Sequence, residues 1–209
     1  MLILDMLRAR MRDRGDHIFL HHQGRRVSYR EFDALSNRAA NTLIDLGIAR
    51  GERVTVAMAN SVEYLVATFG ILKAGAIYNP INARLGGAEL TYIIGHADPR
   101  LLLTDAANRE CIEAPTLRLP TSCRTALFAA EPGDPSAAEM IDFGAALAAA
   151  AETDPGLGLA ADDPSTLLYT SGTTGNPKGV LFHHGSTGAA GKHFVETLGI
   201  TADDTILAV

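Results

Sequence analysis

The chain has 209 residues, of which 24 are acidic and 18 basic, and its formal net charge is −6 at neutral pH. Hydrophobic residues make up 47% of the sequence and charged residues 20%, which is ordinary for a globular protein and excludes an intrinsically disordered chain. The acidic balance disfavours nucleic acid and anionic membrane as partners, since both attract basic surfaces, and two cysteines are too few for a disulfide framework.

The N-terminal segment predicts a short helix and no export signal. Asp5 interrupts the apolar start and four arginines follow it, so the apolar core of a signal peptide is missing. Leu4, Leu7 and Met11 recur at helical spacing and predict an amphipathic helix. The apolar run Phe143–Ala151 is far shorter than the roughly 20 residues that a membrane-spanning helix needs. We therefore expect a cytoplasmic protein without a membrane span.

A small antiparallel hairpin is predicted next, from the strand-like runs Ile18–His21 and Arg25–Ser28 on either side of Gln23-Gly24. Ser28 and Glu31 then form an S-x-x-E capping box, which is typical of the start of a helix. The apolar stripe of that helix consists of Phe32, Leu35, Ala39, Leu43 and Leu46, and Gly47 is its predicted end.

Strands and helices then alternate with short connections. Strands are predicted at Val54–Met58, Ala76–Asn79 and Arg100–Thr104. Asn60-Ser61 predicts the cap of a helix between the first two strands, and Ala88–Ala97 predicts a helix between the last two. This order predicts an α/β fold, a mostly parallel sheet with helices on both faces, preceded by the small N-terminal hairpin.

The pattern is weaker between Cys111 and Pro164. A strand is predicted at Thr125–Ala129, and the alanine-rich stretch Ser136–Ala151 predicts a helix by propensity. Residues near 152–164 are predicted as a weak internal linker, because proline, glycine and aspartate cluster there. The apolar run Thr205–Val209 predicts a strand cut short within the element.

A segment rich in glycine and hydroxyl groups follows the predicted strand Ser165–Tyr169. It reads Thr170-Ser171-Gly172-Thr173-Thr174-Gly175-Asn176-Pro177-Lys178-Gly179. Glycines let successive N–H groups converge on an anion, hydroxyls add donors, and a threonine oxygen can also ligate Mg²⁺. Lys178 adds a compact positive charge. The segment predicts a phosphate-binding loop, but its spacing matches neither the Walker loop nor the dinucleotide-binding fingerprint.

The stretch Leu167–Val180, LLYTSGTTGNPKGV, resembles the phosphate-binding signature of the adenylate-forming superfamily, which includes acyl-CoA synthetases, adenylation domains and luciferases. Gly51–Asp105 resembles the first subdomain of those enzymes, with a K-A-G-A helix end and an E-L-x-Y-I helix in the same order. The resemblance implies the N-terminal subdomain of an acyl-CoA synthetase-like fold. Residues 1–209 would then be the N-terminal part of an AMP-binding large domain, with no C-terminal domain present.

The function that this resemblance implies is ATP-dependent ligation of a small-molecule carboxylic acid to coenzyme A, through an acyl-adenylate. On the family pattern, the residues that hold the β- and γ-phosphates are Thr170, Ser171, Gly172, Thr173, Thr174, Gly175 and Lys178. Lys178 is the predicted catalytic charge on the pyrophosphate, and Thr170 is the predicted Mg²⁺ contact. His184 departs from the pattern, because Gly185-Ser186 follows it where relatives have a basic residue.

Two other functions remain open: a fragment of a carrier-protein adenylation domain, and a non-catalytic module that binds nucleotide or acyl groups. In the family, the adenine and ribose contacts and a late catalytic lysine lie downstream of the matched region. We therefore expect the 209-residue chain to be inactive alone. The sequence indicates neither the acid nor the oligomeric state.

Overall fold

The computed structural model describes residues 2–85, 87–128, 140–170, 175–202 and 204–207. The helices in these ranges are α1 (Ile3–Arg14), α2 (Tyr29–Asp45), α3 (Val62–Lys73), α4 (Gly87–Ala97), α5 (Arg109–Glu113), α6 (Phe143–Ala149) and α7 (His184–Leu198). The strands are β1 (Ile18–His22), β2 (Arg25–Ser28), β3 (Arg53–Ala57), β4 (Ile77–Pro80), β5 (Leu101–Asp105), β6 (Arg124–Phe128), β7 (Ile141–Asp142), β8 (Pro164–Thr170) and β9 (Lys178–His183). Among these helices, none combines the length and the apolar character needed to cross a bilayer.

Seven strands form one sheet in the order β7-β6-β5-β3-β4-β8-β9, and β1 and β2 form a separate antiparallel hairpin. Every neighbouring pair in the large sheet is parallel except β8 and β9, which are antiparallel. The predicted hairpin and the mostly parallel α/β sheet are therefore confirmed.

The two faces of the sheet bury separate apolar clusters. Val54 and Val56 of β3 belong to a cluster that includes side chains of α1, α2, α3 and α6. Ala57 and Leu102 belong to the other, together with side chains of α4 and α5. The central run Leu101–Leu103 is fully buried, as expected for a strand covered on both sides. Helices on both faces are confirmed.

Serine side chains cap the N-termini of α2 and α3, as the sequence predicts. The Ser28 hydroxyl accepts a hydrogen bond from the backbone N–H of Glu31 at 3.1 Å, and the Ser61 hydroxyl accepts one from Tyr64 at 3.0 Å. The Glu31 carboxylate pairs with Arg25. The Ser28 half of the predicted capping box is therefore formed, while Glu31 takes a partner outside the box.

The helix predicted over Ser136–Ala151 is wrong at its start. Residues 136–139 lie outside the described ranges, and Ile141 pairs with Ala126 in the sheet. The helix begins only at Phe143, where the Asp142 carboxylate accepts a hydrogen bond from the N–H of Ala145 at 2.8 Å. Sheet pairing and the cap together override the alanine propensity. The helix buries one face, with Phe143 fully buried, while Ala145, Ala148 and Ala149 on its other side are exposed.

The segment predicted as a linker contains neither helix nor strand before β8, but ion pairs and hydrogen bonds attach its first residues to α1 and α2. Arg38 of α2 pairs with Glu152 at 2.7 Å, and Arg8 of α1 pairs with Asp154 at 2.8 Å. The Asn41 amide donates to the backbone carbonyls of Ala151 and Thr153.

At the C-terminus the structure contains β9 and α7, neither of which the sequence patterns predicted. Both elements carry apolar side chains that are exposed: Val180, Leu181, Phe182, Phe194, Val195 and Leu198. The strand predicted at Thr205–Val209 is not found in its described part, residues 205–207.

Candidate functional site

The hairpin β8–β9 carries the predicted phosphate-binding loop. Thr170, the last residue of β8, pairs across the hairpin with Lys178, the first residue of β9. Because β8 runs parallel to β4, Thr170 lies at the carboxyl edge of the parallel strands, where open α/β sheets bind their ligands. The predicted phosphate contacts Ser171, Gly172, Thr173 and Thr174 lie outside the described residues.

The other predicted site residues are Thr170, Gly175 and Lys178, and all three are exposed. Gly175 has a φ of +153°, a backbone conformation that side-chain-bearing residues rarely adopt, which accounts for glycine there. No ion pair between described residues involves Lys178, and no hydrogen bond between them uses the Thr170 hydroxyl. Both groups can therefore face a ligand. No group of His, Cys, Asp and Glu side chains in the described ranges is arranged to hold a metal ion.

A buried asparagine, which sequence reasoning missed, attaches β8 to the sheet. Asn79 in β4 is fully buried, and its amide nitrogen donates to the backbone carbonyl of Leu167 at 2.8 Å. Its amide oxygen accepts from the buried Thr55 hydroxyl at 2.8 Å. The backbone ladder between β4 and β8 contains the single pair Tyr78 and Thr166. The hydrogen bond from the Asn79 side chain therefore adds a second contact between β4 and β8, one residue nearer the loop than the backbone pair.

Tyr169, the residue before Thr170, packs between α4 and β9. Its hydroxyl lies 2.6 Å from Nδ1 of His96 in α4, and its ring covers Gly179 in β9. A Cβ atom at Gly179 would lie 3.2 Å from Cζ of Tyr169, closer than ordinary contact. Burial and the neighbouring phenol of Tyr92 raise the pKa of Tyr169. Tyr169 thus connects the residue before the loop to α4, whose apolar side chains belong to the second cluster.

His184 begins α7 and is fully buried. Both of its ring nitrogens lack a hydrogen-bond partner among the described residues, while its backbone N–H donates to the carbonyl of Asp163 at 2.9 Å. Burial lowers the pKa of His184, the nearby Arg50 lowers it further, and Asp163 opposes both effects. His184 is therefore a neutral packing residue at the base of the hairpin, outside the predicted phosphate contacts.

We expect His184 to make the fold sensitive to acid. A histidine whose pKa is lower in the folded than in the unfolded state favours unfolding once pH falls below its unfolded pKa. Replacing His184 by leucine removes this proton uptake and leaves no unpaired buried nitrogen. Urea unfolding should show that the free energy of unfolding falls less in the variant than in the wild type between about pH 7 and about pH 5. Parallel losses in the two proteins would contradict the assignment.

Comparison with known proteins gives the fold and the hairpin a family context. A family model described as AMP-binding enzyme matches residues 7–209. A long-chain fatty acid–CoA ligase of Mycobacterium tuberculosis is 34% identical over 183 residues, which cover 87% of this chain and 34% of that protein. A crotonobetaine/carnitine–CoA ligase of Salmonella typhimurium is 33% identical over 190 residues, which cover 88% of this chain and 36% of the ligase.

Solved structures agree with these sequence relatives. The N-terminal domain of FACL13 from Mycobacterium tuberculosis, determined with an inhibitor bound, superposes with a TM-score of 0.82 at 31% identity, covering 93% of this chain and 47% of that one. A Mycobacterium tuberculosis fatty acyl-CoA synthetase superposes with a TM-score of 0.80 at 29% identity, covering 93% and 37%. The chain thus spans about a third of the length of the curated ligases it matches.

Proposed function

Because this chain belongs to the AMP-binding enzyme family, we propose that it is the N-terminal part of an ATP-dependent acid–CoA ligase. The observation that carries the proposal is the hairpin β8–β9, which pairs Thr170 with Lys178 at the carboxyl edge of the parallel strands. The ligases among the relatives at 33–34% identity support CoA as the acceptor of the acyl group.

The reaction has two displacement steps. A carboxylate oxygen attacks the α-phosphorus of ATP, the bond from that phosphorus to the oxygen bridging the α- and β-phosphates breaks, and pyrophosphate leaves. The thiolate of CoA then attacks the acyl carbon, the bond to the AMP oxygen breaks, and AMP leaves. The first step brings an anion against a polyanion, so the protein must supply positive charge and fixed donors around the phosphates.

The described residues of the hairpin fit that requirement. Lys178 is exposed, so its ammonium group is free to contact the β- and γ-phosphates. There it would offset the charge that develops on the departing pyrophosphate. Mg²⁺ would enter with ATP, bound mainly by phosphate oxygens and waters, and a Ser or Thr hydroxyl can supply one further oxygen ligand to such an ion. The exposed Thr170 hydroxyl is the group we assign to that contact.

The test is ATP–pyrophosphate exchange with a panel of carboxylic acids. The complete polypeptide that contains this chain should exchange pyrophosphate into ATP only with its own acid, and should form AMP and a thioester only when CoA is added. The 209-residue chain alone should do neither, because it spans about a third of the relatives' length. Formation of ADP, or exchange by the 209-residue chain alone, would contradict the proposal.

A carrier-protein adenylation domain is the second candidate, and the size of one relative, of which the matched region is a very small part, favours it. Malpinin synthetase of Mortierella alpina is 31% identical over 175 residues, which cover 83% of this chain and 2% of that protein. The same assay separates the two functions: exchange without thioester formation on free CoA would favour the carrier-protein acceptor. Absence of both exchange and thioester formation in the complete polypeptide would favour a non-catalytic binding module.

A further inference from the structure

A contact outside the hairpin fixes the residue that precedes the phosphate loop. His96 lies in the last turn of α4, and its Nδ1 is 2.6 Å from the hydroxyl of Tyr169. The two rings meet edge to face, with centroids 5.7 Å apart and planes at 88°. Tyr92, one turn earlier in α4, stacks on His96 at 5.8 Å and 20°. The histidine ring is therefore held on one side by its own helix while it contacts the tyrosine.

Tyr169 transmits this restraint to both strands of the hairpin. It pairs in the backbone ladder with Gly179, and its ring lies on that glycine. The next residue pair toward the loop is Thr170 with Lys178, the two groups that close the loop. A shift of the Tyr169 ring would therefore displace the phosphate-binding groups on both sides.

The hairpin needs such a restraint because its other attachment lies farther from the loop. The ladder to β4 contains one residue pair, at Thr166, and the Asn79 amide reaches the carbonyl of Leu167. Thr170 lies three residues beyond that bond. The hydrogen bond between His96 and Tyr169 lies nearer the loop than these contacts, and it comes from α4, on the face of the second apolar cluster, instead of from β4.

We propose that His96 is a positioning residue for triphosphate binding, which acts through the Tyr169 hydroxyl to orient Thr170 and Lys178. The inference rests on the function proposed above. His96 is exposed, so its role does not depend on filling the core, and its removal should cost little stability. Loss of one hydrogen bond should weaken the affinity for Mg·ATP by about 2- to 10-fold.

The test compares single and double variants of the complete polypeptide by calorimetric titration with Mg·ATP. His96→Phe retains a ring against Tyr92 and Tyr169 but removes the nitrogen, and Tyr169→Phe removes the hydroxyl. Each should weaken ATP binding equally, and the double variant should bind no more weakly than either single variant. His96→Asn, whose amide reaches the position of Nδ1, should restore affinity. His193→Phe is the matched control, since His193 is an exposed helical histidine beside the Thr197 hydroxyl.

Lys178→Ala, measured in parallel, separates this inference from the function on which it rests. If Lys178→Ala weakens ATP binding but His96→Phe and Tyr169→Phe do not, the positioning role is wrong and the ligase proposal remains. If His96→Phe lowers the melting temperature without changing the ATP dissociation constant, His96 is structural only and the inference fails. Additive losses in the double variant would also overturn it. Unchanged binding by Lys178→Ala overturns both proposals.

Discussion

The Lys178→Ala variant of the complete polypeptide is expected to bind Mg·ATP about 10-fold or more weakly and to lose most of its pyrophosphate exchange. A hydrogen bond to a charged group contributes about 1.5–3 kcal/mol, and the ammonium should contact the β- and γ-phosphates in both the ground and transition states. The loss should exceed that of the positioning variants, since the charge itself is removed.

The fold should tolerate this substitution, because the Lys178 side chain is exposed and forms no ion pair with a described residue. Lys192→Ala is the matched control: Lys192 is an exposed lysine that pairs with Glu196 along α7. The melting temperatures of both variants should match the wild type. Exchange that survives in Lys178→Ala, or unfolding of that variant, would remove Lys178 from its proposed role.

Lys73→Met should lower the free energy of unfolding by about 3–5 kcal/mol, the cost of breaking a buried ion pair by removing one partner. The Lys73 side chain is fully buried at the end of α3, and its ammonium donates to the Asp33 carboxylate at 2.8 Å. It also donates to the Ser36 hydroxyl at 2.8 Å and to the Asn37 amide oxygen at 2.7 Å, all three on α2. Methionine fills the space but leaves these acceptors without their cation.

Urea unfolding of the 209-residue chain measures this loss, with Lys192→Met as the control that should change stability little. Adding Asp33→Asn to Lys73→Met should recover part of the loss, because the uncompensated carboxylate is then removed. A loss below about 1 kcal/mol would contradict the assigned role of the pair. Burial lowers the pKa of Lys73 while Asp33 opposes the shift, in keeping with a cation that depends on its partner.

The parts of the fold predicted from the sequence are those with local signals. Ser28 and Ser61 combine a capping side chain with an apolar stripe one turn later, so α2 and α3 could be located from the chain alone. The sheet could be inferred because its strands alternate with those helices. At 136–151 the local signal was misleading, since alanine propensity carries no information about the pairing of Ile141 with Ala126.

The candidate site divides in the same way. A candidate loop could be proposed because glycine density and Lys178 are visible in the sequence, whereas the contacts of Asn79 with Leu167 and of His96 with Tyr169 depend on strand register and on where α4 meets β8. An amide within an apolar strand was the available signal for Asn79. β9 was missed although Val180, Leu181 and Phe182 form a continuous apolar run, which is the signal of a buried strand, whereas all six residues of β9 are exposed in this chain.

The position of β9 at the edge of the sheet has a consequence for the solubility of this 209-residue polypeptide. An outermost strand with exposed apolar side chains is a template on which other chains can pair. The exposed apolar run of this strand, Val180–Phe182, lies within four positions of Lys178. Polar substitutions there would change residues beside the lysine that we propose contacts the triphosphate, whereas Phe194 and Leu198 on α7 are exposed apolar positions farther along the chain that can be made polar instead.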